Sequence, residues 1–303
     1  IVTMGAQIGH QLEIIRVLSE ESTTAVAALD KQLFNIAKSG AYGPLQVAEA
    51  MKTLSLAGLN ASEVTSALPR VLQFATAGTT TIEKAAEVMT GVATAFGYTA
   101  ESFNLVGDII TKTAAVSKAS VEDMGEAFKA ASTVNTQFGV SIQDVSLLLA
   151  AQANLNIKNA QAGTNVTNMY TDLAGRTKKS RELLKDLNLE LTDSKGNFKD
   201  VVTIVKSLSK ELSKYNGTSR RDVLLTTLSE RGGKPLVEAL RLYETEVRRF
   251  EMTNGQMTEV VTNQLEDLAK RSADSYGFMA KAAAQLSMTP LKQMESVVST
   301  FQS

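Results

Sequence analysis

The chain has no cysteine and no tryptophan, a single histidine, His10, and only four prolines in 303 residues. Without cysteine there can be no disulfide, no zinc–thiolate site and no thiol nucleophile. A lone histidine has no partner for a dyad, and a metal site built on it would need an unusual ligand set, so His10 reads as a surface or packed side chain. Charge of either sign is also missing as a surplus. The 31 basic and 32 acidic residues leave a net charge of -1, which argues against a strongly basic nucleic-acid binder. Long apolar runs are absent too. The longest uncharged stretches, such as Val145 to Ile157, fall short of the roughly 20 residues that a membrane-spanning helix needs. Aromatics make up only 5%, so the core must be built from alanine, leucine, valine and threonine, a composition suited to close helix packing.

What the chain has is a repeated pattern of helix endings. Amphipathic runs close on Ala57-Gly58, Phe96-Gly97, Phe138-Gly139 and Ala174-Gly175, spaced 39, 42 and 36 residues apart. After the first three comes an apolar residue and then a capping residue: Leu59-Asn60, Tyr98-Thr99 and Val140-Ser141. A left-handed residue just past a helix end lets the chain satisfy the last free carbonyls, and glycine does this without a Cβ clash. Asn60, Thr99 and Ser141 can accept from the first free N–H groups of the next helix, with Glu63, Glu101 and Asp144 in its first turn. Further helix starts stand at Gly43-Pro44, Thr81-Ile82-Glu83 and Ser120-Val121-Glu122. The expected fold is all-α, with stacked helical hairpins of about 39 residues.

Three regions follow. Residues 1–175 read as the hairpin repeat, opened by two helices over residues 1–40 and closed at Gly175. In its second hairpin Val64, Leu68, Val71 and Phe74 face Ile82, Met89, Val92 and Phe96; in its third, Phe103, Val106, Ile109 and Ile110 face Val121, Met124, Phe128 and Ala131. Residues 176–234 read as irregular helix with one small strand-like turn near 187–198, where Leu187, Leu189 and Leu191 alternate into Asp193-Ser194-Lys195-Gly196-Asn197-Phe198. Residues 235–303 read as long helices, including Pro235 to Glu251 and a last one from Leu291 to Phe301. They carry a partial heptad seam of Leu236, Leu240, Tyr243, Val247, Phe250, Asn254, Met257, Val261, Leu265 and Leu268, interrupted at Asn254-Gly255. Leu240, Val247, Phe250, Met257, Val261 and Leu268 are candidates for an oligomer interface, with intramolecular core as the other reading. Because the chain starts at Ile1 in mid-pattern, it reads as an excerpt of a longer protein.

Candidate chemistry is sparse. Arg231-Gly232-Gly233-Lys234-Pro235 lacks the spacing, the preceding strand and the Ser or Thr of a phosphate loop, and reads as a turn between helices. The stretch from Asp193 to Asp200 is polar enough for a calcium loop, but Lys195 replaces an acidic ligand and Gly196 comes too early. The basic cluster Arg176, Lys178, Lys179, Arg181 and Lys185 contains no aromatic and interleaves Glu182 and Asp186, so it reads as a solvated helix face. Three Asn-X-Ser/Thr sequons, at Asn60, Asn165 and Asn216, match chance expectation. No pair of carboxylates has a distinctive spacing, and no catalytic, metal or cofactor site is nominated.

The ordered glycine-anchored segments do resemble a known family. Ala57-Gly58-Leu59-Asn60, then Ala93 through Glu101 (ATAFGYTAE), then Ser120 through Phe128 (SVEDMGEAF) are similar to the core region of phage tail tape measure proteins. The likeness continues through Gly139-Val140-Ser141, Leu147-Leu148-Leu149-Ala150, Asn156 through Thr164, Leu187-Asn188-Leu189 and Met288-Thr289-Pro290-Leu291. It spans roughly residues 40 to 300. The resemblance implies a structural role: a self-associating protein, commonly a trimer, placed in the virion tail at the tube lumen or tip and assembled in the bacterial host cytoplasm. Tail tube protein, tail-tip or hub proteins and tail assembly chaperones are the implied partners. The implied tasks are setting tail length, nucleating tail assembly and assisting DNA delivery, without enzyme activity, cofactor or specific nucleic-acid binding in this segment. Long featureless helices act as the ruler in that family. Here glycines break the helices about every 20 residues. A generic helical-repeat binding scaffold and a cell-wall lytic enzyme are the alternatives.

Overall fold

The computed structural model describes residues 2–38, 42–214, 222–225, 227–253 and 256–288. These residues are mostly helical: fifteen helices and one two-stranded sheet. In chain order the helices are α1 (Val2–Leu18), α2 (Thr23–Ala37), α3 (Pro44–Leu56), α4 (Ala61–Gly78), α5 (Ile82–Ala95), α6 (Phe103–Ala115), α7 (Val121–Ala131), α8 (Thr133–Phe138), α9 (Ile142–Asn154), α10 (Asn159–Leu173), α11 (Lys178–Asp186) and α12 (Val201–Leu212). Then come α13 (Glu230–Glu244), strands β1 (Glu246–Thr253) and β2 (Gln256–Asn263), α14 (Gln264–Ala273) and α15 (Phe278–Ser287). The all-α class expected from the periodicity holds, with the small sheet as its exception.

The chain forms two compact units. One comprises residues 1–111 together with 276–303, and the other residues 112–275. The boundary cuts through α6, so the two helices expected to make the third hairpin belong to different units. Neither end of this partition coincides with the divisions expected after residues 175 and 234.

In the first unit, α3 packs against α1, α2, α4 and α5, while α4 also carries α15. Its core is fully buried at Leu29, Leu33, Met51, Leu68 and Phe74; each such side chain contributes about 1.5–3 kcal/mol relative to exposure. Helix α4 contains Pro69, which has no N–H for the Thr65 carbonyl one turn back. The Gln32 side-chain amide donates to that carbonyl instead, at 3.1 Å, and so ties α2 to α4.

In the second unit, α10 is central and packs most extensively on α7 and then on α13. The closeness of α7 and α10 has a specific cause at Gly163. A Cβ there would stand 2.1 Å from the Ala127 carbonyl oxygen and 2.7 Å from Ala130 Cβ. Gly232 and Gly233 serve α13 in the same way: both are buried inside the helix, and a Cβ on Gly232 would meet Asp172 Oδ2 at 2.3 Å. The turn expected at Arg231–Pro235 is therefore the first two turns of α13, with glycine needed for close packing.

The largest departure from expectation is at 246–263. In place of a heptad-bearing helix, β1 and β2 form an antiparallel hairpin in continuous register from Glu246↔Asn263 to Thr253↔Gln256. Val247, Phe250, Met257 and Val261 lie on strands, whereas Leu240 and Leu268 are buried on α13 and α14. The six do not share a helical seam. Asn254-Gly255, which stands between the two strands in the sequence, lies outside the described residues. The strand-like turn near 187–198 is a single antiparallel bridge, Thr192↔Phe198. Thr289-Pro290, the expected helix Leu291 to Phe301 and Asn216 lie outside the described residues.

Candidate functional site

The helix turns come first, because they carried the reading of the sequence. Gly58, Gly97, Gly139 and Gly175 have φ of 93°, 73°, 66° and 76°, all in the left-handed region. At Gly97 the chain closes α5 with two backbone bonds, Gly97 N to Thr94 O at 3.1 Å and Tyr98 N to Ala93 O at 2.8 Å. This is the double closure that pairs the last free carbonyls. Asn60 caps α4 reciprocally with Glu63: Glu63 N donates to Asn60 Oδ1 at 3.0 Å, and Asn60 N donates to Glu63 Oε2 at 2.9 Å. Ser141 Oγ accepts from Asp144 N at 3.0 Å and opens α9. Thr99 precedes a short 3-10 turn, Ala100–Ser102, without a side-chain capping bond.

A second set of anchors was not visible in the sequence. Three buried or largely buried aspartates reach the starts of helices far along the chain. In the first unit, Asp108 accepts from Gly277 N at 2.7 Å and Met279 N at 2.9 Å, holding the N-terminus of α15. In the second, Asp172 Oδ2 accepts from Ser229 N at 2.9 Å and Ser229 Oγ at 2.6 Å, while Ser229 in turn caps α13. Asp144 Oδ1 accepts from Val201 N at 3.0 Å at the start of α12. A helix N-terminus offers free N–H donors and the positive end of its dipole, so a carboxylate is the natural partner. Burial pushes the Asp144 carboxyl above its usual range, opposed by bonds from Ser141 and Val201.

Around Asp144 the turn at 193–198 is seated on α8 and α10. Phe198 packs edge-to-face with Tyr170 at 5.1 Å and with Phe138 at 5.7 Å, and Phe198 N donates to Phe138 O at 3.2 Å. Asp193 Oδ1 accepts from Lys195 N and Asn197 N, at 2.8 and 3.0 Å, so this acid is engaged in its own turn. The Tyr170 hydroxyl is fully buried without a hydrogen-bond partner. Burial, and then the charges of Asp144 and Asp200, push it well above the ordinary tyrosine range.

The remaining sequence candidates are dispersed. His10 is exposed on α1. Arg176, Lys178, Lys179 and Lys185 are exposed along α11 and its lead-in, and Arg181 turns back to the Gly175 carbonyl at 2.6 Å. A cavity of about 500 Å³ in the second unit is lined by Leu155, Ile157, Leu225 and Val237. Its charges, Glu230 with Lys234 and Glu238 with Arg241, are paired at 3.0 and 2.6 Å. Among the described residues no group of three His, Asp or Glu side chains is placed to hold a metal ion. No described helix is long and apolar enough to cross a membrane. The arrangement supports mechanical and packing roles: left-handed turns, reciprocal caps and carboxylate anchors.

Comparison with known proteins gives this scaffold its family. A profile for phage-related minor tail proteins matches residues 35–229, more than half of the chain, from the end of α2 to the start of α13. The chain belongs to this family. Family membership places it among the structural proteins of phage tails. Two curated relatives are similar to this minor tail protein. A tape measure protein of Pneumococcus phage Dp-1 is 24% identical over 197 residues, covering 65% of this chain and 17% of that protein. A probable tape measure protein of Escherichia phage P2 is 27% identical over 224 residues, covering 74% of this chain and 27% of that protein. The matched stretch is therefore a minor part of either relative's length. No solved structure matches the chain.

Proposed function

We propose that this minor tail protein segment is a folded, assembly-directing part of a tape measure protein, located in the virion tail at the tube lumen or tip. It helps set tail length, nucleates tail assembly and assists DNA delivery. Its partners are copies of itself, the tail tube protein, tail-tip or hub proteins and tail assembly chaperones, with assembly in the host cytoplasm. We assign it no catalytic step and no cofactor. One observation carries the reading: within the family-matched stretch the helices run only 6 to 18 residues and are turned back at left-handed glycines. Such a segment works by presenting folded units, because a ruler requires length in proportion to residues.

The test is an in-frame deletion from Gly58 to Phe96 in the parent phage, with tail length read by electron microscopy. A continuous helix rises about 1.5 Å per residue, so removing this stretch from an extended rod shortens the tail by roughly 60 Å. We expect failed or defective tails instead, because the deletion removes α4 and α5 from the first unit and exposes its core. Intact, infectious particles shorter by about 60 Å would show that these residues are stretched out as ruler.

A further inference from the structure

The first unit holds a hollow of about 400 Å³ between α4, α6 and α15. Its polar lining is Arg70 and Gln73 of α4, Asn104 and Asp108 of α6, and Tyr276 just ahead of α15. Asp108 is committed on both oxygens, Oδ2 to Gly277 N and Oδ1 to Met279 N, so its charge is set against the start of α15. Arg70 has no such partner. Its Nη1 donates to the Ser66 carbonyl one turn back in the same helix, and its Nε is enclosed without a hydrogen bond. No carboxylate pairs with it among the described residues. The other arginine of this unit, Arg16, is held by Glu13 through two bonds, at 2.9 and 2.6 Å. A half-buried guanidinium without a counter-charge, beside the exposed amides of Gln73 and Asn104, is a donor set that a carboxylate fills.

Two further observations enlarge the site. Tyr276 is 92% exposed at its rim, and tyrosine and arginine are the side chains enriched among the anchors of protein interfaces. The hollow also continues along the same two helices. Gln73 and Ala280 line both it and a second one of about 320 Å³, which runs past Leu72, Ala283 and Ala284 to Ser287. The first hollow is lined by donors, and the second is mostly apolar. A small free anion fills the first alone, whereas an extended chain uses both.

We propose that this track along α4 and α15 binds an acidic peptide segment of a protein partner. Arg70 takes a glutamate or aspartate carboxylate of that segment, Tyr276 packs over it, and a neighbouring apolar side chain enters the hollow beside Leu72 and Ala283. That the partner is a tail component rests on the assembly role proposed above; the site itself rests on Arg70 and the two hollows.

The test is fluorescence anisotropy of the full chain with a labelled hexapeptide of alternating leucine and glutamate. It is run at about 0.15 M salt, where diffuse surface attraction is screened. The peptide should bind, and its glutamine counterpart should bind more weakly by about tenfold or more, the loss of one charge-assisted pair. Arg70→Gln should lose a similar factor. Arg70→Lys should lose less, because lysine keeps the charge without the planar fork. Tyr276→Ala, at an exposed position, should also weaken binding and gives the same reading if Arg70→Gln does not fold. Lys31→Gln makes the same charge change at an exposed position of α2 and should bind as the wild type does. Equal weakening by Lys31→Gln and Arg70→Gln means charge attraction without a site and overturns the proposal. Free glutamate that competes as strongly as the peptide overturns it too, as does self-association lost in Arg70→Gln without peptide binding, which gives the acid to a second copy. A folded wild-type chain that does not bind the peptide also overturns it, and leaves the deletion test of tail length to be decided separately.

Discussion

Replacing Gly163 by alanine is the sharpest test of the close packing in the second unit, because propensity and packing pull in opposite directions. Inside a helix, alanine is favoured over glycine by about 0.5–1 kcal/mol. Gly9, in α1, has nothing within 4 Å of where a Cβ would stand, so Gly9→Ala should show that gain undiluted. At Gly163 the new Cβ would lie 2.1 Å from Ala127 O, 2.7 Å from Ala130 Cβ and 2.9 Å from Ala131 N. Two of these are backbone atoms of α7, so no rotamer change relieves them. The helices must part by about 1 Å to restore ordinary contact, which loosens the buried Phe128, Val166 and Tyr170. Overpacking of this kind costs about 1–3 kcal/mol, which outweighs the propensity gain. With roughly 2–4 °C per kcal/mol for a unit of this size, the melting transition of the second unit should fall by about 2–12 °C. Differential scanning calorimetry of the two single variants reads both signs at once. If Gly163→Ala melts at or above the wild type, α7 and α10 are not in backbone contact there and the account of α10 as the centre of its unit is wrong.

Asp172→Ala removes the buried carboxylate that accepts from Ser229 N and Ser229 Oγ at the start of α13, at a cost of about 1.5–3 kcal/mol in urea unfolding. Glu182→Ala, which removes an exposed partner of Lys178, should move the same curve by less than about 0.5 kcal/mol. Tyr170→Phe deletes a buried hydroxyl that has no partner, so stability should hold or rise; a clear loss in thermal melting would reveal a bond to that oxygen. Asp144 titrates above its unfolded value, so the folded chain holds that proton more tightly than the unfolded one does. Its contribution is greatest below the unfolded aspartate value and declines as pH rises through the raised folded value. In melts across the acid range, Asp144→Asn should therefore lose less stability with rising pH than the wild type, and parallel curves would refute the shift.

How much of this was legible depended on how far along the chain each cause acts. The turns at Gly58, Gly97 and Gly139, and the caps at Asn60 and Ser141, involve groups within six residues, so glycine followed by a capping residue could be read directly. The anchors from Asp172 to Ser229 and from Asp108 to Gly277 bridge 57 and 169 positions, and no local pattern marks them. The hairpin was missed for a different reason. A heptad template fits Leu240, Val247 and Val261 by spacing alone, and it treats Asn254-Gly255, the strongest two-residue hairpin signal with β-branched Val260, Val261 and Thr262 just beyond it, as a mere interruption of the seam. Gly232 and Gly233 look like a loop in one dimension and are helix-crossing points in three. Of the functional reading, the ordered glycine segments carried the family, while the hollow beside Arg70 and Tyr276 became visible only once the fold had brought α4, α6 and α15 together.

The split first unit has a consequence for synthesis. Its closing helix, α15, is made only after the whole of residues 112–275, and until then Asp108 holds no amide from Gly277 or Met279. At about 5–20 residues per second, the ribosome spends roughly ten to thirty seconds on the intervening stretch. Throughout that interval the flank of α4 that receives α15 stands open. Synthesis order thus runs against fold order: the unit that begins first finishes last, and a nascent chain halted before Tyr276 has an N-terminal unit without α15.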